Sequence, residues 1–221
     1  RGKITAFARG ARRPNSSLLA ATNPFSFGEF ELFEGKSSYN ISKATIHNYF
    51  RELATDVDAA YMGFYFLEFA DYFCQENNDE KEMLKLLYQS FRALESGKFS
   101  NQLIRVVFEL KALAVNGFAP SVFSCMHCKQ KENLLYFSIK RGGVFCEICG
   151  KTQDVVRIHE STCYAMQYII SSSIEKLFTF QLSNDVLKEL CKIVREYFAY
   201  DIKHTFKSLE IIEQGKQFLN M

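Results

Sequence analysis

The amino-acid sequence predicts an α+β protein that is mostly α-helical, with a small β domain at its front and a metal-binding module inserted among the helices. Three observations support this fold class. Apolar and polar residues alternate through much of the first forty positions, as they do in half-buried strands. From Ser42 onward the apolar residues recur at helical spacing. Two C-x-x-C pairs then interrupt the helical pattern between residues 125 and 149.

The N-terminal region is expected to contain strands. Residues 3–8 alternate, and residues 25–33 alternate more clearly, with a register break near Gly28 that is typical of a β-bulge. The side chains expected to point into the core are Phe25, Phe27, Phe30 and Leu32, with Phe33 as a further candidate. Residues 10–17, Gly-Ala-Arg-Arg-Pro-Asn-Ser-Ser, have the composition of a loop.

Helices account for most of the remaining chain. Asp56 and Ser100 are each placed to cap a helix, because an acidic or hydroxyl side chain at that position accepts hydrogen bonds from the first free backbone N–H groups. The expected helices cover about residues 42–53, 56–75, 83–97, 100–116, 162–178 and 184–201. The predicted domains are a β domain at 1–40, a helical domain at 41–122, a zinc-binding module at 123–156 and further helices at 157–221.

Four cysteines are the candidate metal ligands. Cys125, Cys128, Cys146 and Cys149 form two C-x-x-C pairs separated by 17 residues. Two thiolates three positions apart bind one ion from the same side, and a second pair completes the tetrahedron that Zn²⁺ accepts in structural sites. Because four thiolates leave no coordination position open for water or substrate, we expect a structural role for the site.

The residues around the cysteine pairs suggest how the module folds. Residues 140–143, Lys-Arg-Gly-Gly, lie between two short apolar stretches and predict a β-hairpin. Gly150 follows the second pair, where a ligand turn often needs a positive φ. His127 or His159 could replace a cysteine as a ligand, although the complete set of four thiols makes this unnecessary.

Composition excludes several classes of protein. No apolar run reaches the length of a membrane span. Of the seven cysteines, four already fit a thiolate metal site, which favours a reducing cytoplasm over a secreted location. The sequence contains no Walker loop, G-x-S-x-G or H-E-x-x-H motif, and we predict no catalytic residue.

Charge is distributed unevenly along the chain. The formal net charge is +2, but residues 1–28 contain five Lys and Arg and no Asp or Glu, whereas residues 29–221 contain 22 basic and 25 acidic residues. A basic front end is the layout expected if that end contacts a polyanion. The candidate phosphate-contact residues are Lys3, Arg9, Arg12 and Arg13, with Lys140 and Arg141 at the hairpin tip as a second group. A solvated basic turn is the alternative for each group.

Residues 2–16, Gly-Lys-Ile-Thr-Ala-Phe-Ala-Arg-Gly-Ala-Arg-Arg-Pro-Asn-Ser, closely resemble the strand and loop near the front of RecO, the bacterial recombination mediator family. Residues 18–33, the four-cysteine module and the segment ending in Lys207-Ser208-Leu209 resemble the same family, so that the resemblance covers nearly the whole chain. It implies an N-terminal OB barrel, a central helical domain and a zinc module. Since RecO chains normally begin with another strand and a half before Gly2, the barrel is expected to lack its first strand.

The resemblance also implies a function. It implies a non-enzymatic mediator that binds single- and double-stranded DNA, anneals complementary strands and helps to load a recombinase onto DNA covered by single-stranded DNA-binding protein. The implied partners are RecR, the C-terminal tail of single-stranded DNA-binding protein and, indirectly, RecA. No membrane is implied, and the expected location is the cytoplasm, at the bacterial nucleoid. Structural Zn²⁺ is the expected cofactor.

Two other classes of function stay open from the residues alone. A zinc-dependent nucleic-acid enzyme would need an open metal position or a cluster of carboxylates. A zinc-ribbon transcription or translation factor would bind duplex DNA sequence-specifically.

Overall fold

A computed structural model describes residues 2–36 and 38–219 and, in the last helix, the side chains as far as Gln214. The chain divides into two compact units. Unit 1 comprises Arg1–Ser96 with Phe206–Met221, and unit 2 comprises Gly97–Thr205. The strands are β1 Ala6–Phe7, β2 Phe27–Glu34, β3 Tyr39–Asn48, β4 Tyr136–Ser138, β5 Gly143–Phe145 and β6 Val156–Arg157. The α-helices are α1 Arg51–Thr55, α2 Val57–Phe73, α3 Lys81–Ser96, α4 Asn101–Val115, α5 Glu147–Gly150, α6 Glu160–Ser171, α7 Asn184–Asp201 and α8 Lys207–Leu219.

Unit 1 contains a three-stranded sheet in the order β1-β3-β2. β1 pairs with β3 in parallel, and β2 pairs with β3 in antiparallel fashion. The register shifts between Phe27 and Gly28, which confirms the predicted break near Gly28, and again between Glu31 and Leu32. Only glycine fits at position 28 without a steric clash, because a Cβ there would lie 2.2 Å from the carbonyl oxygen of Thr45.

The helix predicted to begin at Ser42 is wrong, because residues 42–48 lie in β3. Ile41 pairs with Leu32, and Ala44 pairs with Phe30, so that one register shift places an extra residue of β3 between these two pairs. The positions that suggested a helical period, Ile46, Tyr49, Phe50 and Leu53, begin inside β3 and reach α1 only at Leu53. The boundary predicted at residue 40 therefore falls inside β3, and the helices begin at Arg51.

The predicted aromatic core of the strands is only partly buried. Phe25 is buried and packs against the rings of Phe64 and Phe91, at centroid distances of 4.9 and 5.3 Å. Phe27 and Leu32 are half-buried. Phe30 and Phe33 are 37% and 68% exposed, so that their expected place in the core is wrong. The core of unit 1 lies mainly among the helices, where Tyr65, Phe66 and Phe69 of α2 are fully buried.

Both predicted helix caps are confirmed. The carboxylate of Asp56 accepts a hydrogen bond from the backbone N–H of Ala59 at 2.9 Å, and α2 begins at the next residue. The hydroxyl of Ser100 accepts from the N–H of Leu103 at 3.3 Å at the start of α4. Each side chain satisfies one N–H that has no partner within its helix.

The last helix returns to unit 1 through a carboxylate on α2. Glu68 accepts hydrogen bonds from the backbone N–H groups of Lys207 at 3.0 Å and Ser208 at 2.9 Å, and from the Ser208 hydroxyl. Phe206, which is buried, stacks on Phe69 with ring centroids 5.4 Å apart. A negative charge at a helix N-terminus is favourable, so that Glu68 both caps α8 and attaches it to α2.

Glu68→Gln is expected to loosen α8, because an amide cannot accept all three hydrogen bonds and places its own N–H₂ group near backbone donors. The expected cost is about 1–2 kcal/mol in the docking of α8. Hydrogen exchange of the amides in α8 measures this directly. Glu82→Gln, an exposed change on α3, is the matched control. Equal protection of α8 in the two variants would contradict the role of Glu68.

Unit 2 is built around α4, which is buried along most of its length. Lys111 of α4 is itself buried, and its ammonium group donates to the backbone carbonyls of Ile170 at 2.9 Å and Ser172 at 2.6 Å, where α6 ends. The helix predicted over 162–178 is shorter than expected. α6 ends at Ser171, and a 3₁₀ turn follows at Ile174–Lys176. The second predicted helix, 184–201, is confirmed as α7.

A second small sheet lies in unit 2, in the order β5-β4-β6. β4 and β5 form the predicted hairpin, with Phe137 of β4 paired to Val144 of β5. In the part of the chain that the structure describes, the helices are too short or too polar to cross a membrane.

Candidate metal centre and basic surfaces

The first cysteine pair lies on a tight turn. The N–H of Cys125 donates to the carbonyl of Gln130 at 2.7 Å, and the N–H of Lys129 donates to the carbonyl of Cys125 at 3.0 Å. Lys129 has a φ of 64°, in the left-handed region. The N–H of Met126 donates to the carbonyl of Val144, which ties this turn to β5.

The second pair spans the short helix α5, and the N–H of Gly150 donates to the carbonyl of Cys146 at 2.9 Å. The positive φ predicted for Gly150 is wrong. Of the two residues that directly follow the cysteine pairs, Lys129 has a positive φ and Gly150 does not. Position 150 requires glycine for a different reason. A Cβ at Gly150 would lie 2.3 Å from Cδ2 of Tyr136, so that only glycine lets α5 approach β4 this closely. This contact depends on the tertiary structure and could not be read from the sequence.

The two turns bring the four thiols together. The Sγ atoms of Cys125, Cys128, Cys146 and Cys149 all lie within 4.8 Å of one another. The Sγ atoms of Cys128 and Cys146 are 3.7 Å apart. A tetrahedral Zn²⁺ with Zn–S bonds of about 2.3 Å has S···S edges of about 3.8 Å. The donor set and its spacing therefore fit a four-thiolate metal site.

His127 and His159, the alternative ligands, do not belong to this cluster. The candidate ligand group found among the described residues consists of the four cysteines alone. His159 instead pairs through Nδ1 with the carboxylate of Glu189 at 3.1 Å, at the N-terminus of α6.

The surroundings of the thiols differ. Burial opposes ionisation of Cys125, but the backbone N–H groups of Cys128, Cys146 and His127 point at its sulfur and lower its pKa to about 6. Burial and the neighbouring thiols raise the pKa of Cys149 to about 12. Four thiols this close cannot all ionise without a cation, whose binding would release the remaining protons.

The module is joined to the helices of unit 2 through its hairpin tip. Tyr197 of α7 donates its hydroxyl hydrogen to the carbonyl of Phe118 at 3.0 Å, and its ring lies 6.1 Å from that of Phe137. Gly142, with a φ of +60°, packs directly on this ring. The cysteine cluster thus closes the module, and aromatic packing attaches it to the rest of unit 2.

The basic front loop is a series of turns with its arginines outward. The N–H groups of Ala11, Arg13 and Ser16 each donate to the carbonyl three positions earlier. Ala11 is buried and anchors the loop, whereas Arg9, Arg12 and Arg13 are exposed. Across residues 2–36 and 38–219, no carboxylate lies within ion-pair distance of these three guanidinium groups.

The other candidate phosphate-contact residues are engaged within the chain. The Lys3 ammonium lies 2.7 Å from a carboxylate oxygen of Asp71. Lys140 pairs with Asp154 at 2.6 Å, which raises the pKa of Lys140 and lowers that of Asp154. Arg141 donates to Gln153 at 3.2 Å and lies over the ring of Phe145. The hairpin-tip cations therefore hold the 153–154 loop, and the front loop carries the arginines that have no such role.

Comparison with known proteins gives a consistent assignment. Residues 54–210 match the family Recombination protein O C terminal, and residues 1–50 match Recombination protein O N terminal. The chain belongs to the RecO family. The boundary between its two RecO matches falls just after β3, so that the family divides the chain where its sheet ends and its helices begin.

Individual RecO proteins are similar over nearly the whole chain. The DNA repair protein RecO of Acetivibrio thermocellus is 31% identical over 215 residues, which are 96% of this chain and 86% of the relative. That of Clostridium novyi is 30% identical over 98% of this chain and 84% of the relative. That of Alkaliphilus metalliredigens is 30% identical over 96% of this chain and 88% of the relative.

Proposed function

We propose that this chain is a DNA-binding mediator of recombinational repair that acts by binding rather than by catalysis. The observation that carries the proposal is the front loop, where Arg12 and Arg13 are exposed and unpaired within the described structure, in a chain that belongs to the RecO family. Relatives about 30% identical over most of the chain bear the name DNA repair protein RecO.

The loop suits phosphate oxygens for a physical reason. Guanidinium groups donate two parallel hydrogen bonds to such oxygens, and each phosphate contact releases condensed counterions from the DNA. We propose that the three-stranded sheet of unit 1 is part of an OB-type fold, whose loops carry oligonucleotide contacts in other proteins. Lys3, Lys140 and Arg141 would add weaker contacts, because each gives up an existing partner to bind DNA.

The four cysteines would hold a structural Zn²⁺. The ion would fix the two turns of residues 123–156 and through them the hairpin tip, and the full thiolate set leaves no ligand position for a reacting water. The donor set therefore favours the mediator over a zinc-dependent nucleic-acid enzyme.

The proposed activity has partners. We propose that the protein anneals complementary strands, associates with RecR and with the C-terminal tail of single-stranded DNA-binding protein, and thereby helps RecA onto covered DNA in the bacterial cytoplasm, at the nucleoid. These partners are those that the RecO family resemblance implies.

A strand-annealing assay tests the proposal. The metal-loaded protein is expected to accelerate pairing of two complementary labelled oligonucleotides, both naked and covered with single-stranded DNA-binding protein. The length of the labelled oligonucleotides is measured in the same reactions, so that any cleavage is detected. Cleavage of the strands, or pairing no faster than without protein, would contradict the mediator function.

A further inference from the structure

The two units differ in net charge, and this difference is not visible from the distribution of charge along the sequence. Unit 2 contains 14 Lys and Arg against 10 Asp and Glu, whereas unit 1 contains 13 against 15. The excess positive charge therefore lies in unit 2, although the basic front loop belongs to unit 1.

One face of α7 carries three cations. Lys188, Lys192 and Arg195 are spaced four and three residues apart, so that they share one side of the helix, and all three are exposed. The opposite side is buried and includes Leu190 and Val194. The three side chains form what we call the α7 stripe.

α7 also carries four acidic residues, Asp185, Glu189, Glu196 and Asp201, and within the described residues none of them forms an ion pair with the stripe. Glu189 is turned toward α6, where it accepts hydrogen bonds from the backbone N–H of His159 at 2.9 Å and from the hydroxyl of Thr162. Burial raises the pKa of the Tyr197 phenol, and the neighbouring Asp201 raises it further. Within the described ranges, no carboxylate reaches ion-pair distance of the stripe.

We propose that the α7 stripe is a second contact surface for the DNA sugar–phosphate backbone, distinct from the front loop. The proposal rests on the proposed DNA-binding function and extends it to named residues of unit 2. Lys188 and Arg195 are seven residues apart, about 10.5 Å along the helix axis. Each strand of duplex DNA presents a phosphate about every 3.4 Å along the helix axis, so that the length of the stripe corresponds to about three phosphate steps of one strand.

The chemistry of the stripe favours a phosphate backbone over an acidic protein. Protein interfaces depend on buried aromatic or apolar anchors. The three residues of the stripe, Lys188, Lys192 and Arg195, provide no such anchor. A backbone contact needs only cations. The lack of a stacking ring also means that single and duplex strands should both bind, with no sequence preference.

Two such surfaces in one chain would give the proposed annealing activity a physical basis. One strand would bind at the front loop of unit 1 and a second at the α7 stripe of unit 2. A single molecule would then hold two strands, and their charges would be neutralised by different residues.

The test compares two triple variants that each lose three positive charges. K188Q/K192Q/R195Q removes the stripe. K43Q/K81Q/K85Q is the matched control, because these lysines are exposed and each is paired with a carboxylate of unit 1. Binding of labelled single-stranded and duplex oligonucleotides is measured by fluorescence anisotropy over a range of salt concentrations, after circular dichroism shows equal melting.

The loss of three phosphate contacts should lower the slope of log Kd against log salt by about 2 for single strands and by about 2.7 for duplex DNA. We expect this in the stripe variant and a much smaller change in the control. Slopes alike in the stripe variant and the control would overturn the stripe while leaving the front loop intact. A wild-type protein that binds no DNA would overturn the proposed function itself, and the stripe with it.

Discussion

Cys125→Ser is expected to lower the free energy of unfolding of the metal-loaded protein by about 3–5 kcal/mol, because a structural metal contributes directly to folding. The Cys125 side chain is fully buried, and three backbone N–H groups converge on its sulfur. A serine hydroxyl is shorter and does not ionise at neutral pH, so that it does not replace the thiolate as a metal ligand. Thermal unfolding and metal content, measured on the same samples, follow the loss.

Cys191→Ser is the matched control. Cys191 is half-buried, belongs to unit 2 and lies outside the four-thiol cluster, so that the change should leave metal content unaltered. If Cys125→Ser kept its metal and its melting temperature but lost DNA binding, the cysteines would contact DNA and the structural role would be wrong.

Chelation separates the module from the rest of the chain. Removing the metal should raise hydrogen exchange first at residues 123–156, since the turns of Cys125 and Cys146 lose the ion that joins them. The sheet and helices of unit 1 have their own core and should keep their protection. Simultaneous loss of protection in both units would show that the metal stabilises more than its own module.

The features that the sequence predicted correctly are local ones. Asp56 and Ser100 cap helices because the cap, the N–H it accepts and the apolar run that follows lie within a few residues of each other. The hairpin around residues 140–143 and the two cysteine turns are local in the same sense. The four thiols meet because β4 and β5 bring two local turns side by side.

β3 shows where a local pattern misleads. The helical spacing of Ile46, Tyr49, Phe50 and Leu53 begins inside β3, where Ile46 pairs with Gly28 of β2, and reaches α1 only at Leu53. Periodicity cannot distinguish a shifted strand from a short amphipathic helix. Only the pairing with residues 27–34, which lie in another part of the chain, decides it.

Contacts between distant residues could not be predicted. Glu68 and Ser208 are 140 positions apart, yet the first caps the helix that the second begins. The partners of the candidate phosphate-contact residues could not be predicted either. Lys3 and Lys140 fit a phosphate contact by composition, but their partners Asp71 and Asp154 are visible only once the chain is folded.

Arg12→Ala combined with Arg13→Ala is expected to weaken DNA binding by about 25-fold near 0.1 M salt and to lower the single-strand salt slope by about 1.4, which corresponds to two phosphate contacts. The loop should keep its shape, because its turns are backbone hydrogen bonds and its anchor is Ala11. Anisotropy titrations with oligonucleotides of unrelated sequence measure both quantities. Equal losses for all sequences are expected, since backbone contacts do not read bases.

Lys140→Ala combined with Arg141→Ala removes the same charge and provides the comparison. Lys140 is paired with Asp154, and Arg141 is held by Gln153 and Phe145, so that binding DNA would cost these side chains contacts they already have. The unpaired arginines of the front loop incur no such cost. The front-loop variant should therefore lose more affinity than the hairpin variant, and the order should hold at every salt concentration. Unchanged binding of the front-loop variant at low salt, where electrostatic contacts are strongest, would remove Arg12 and Arg13 from the interface.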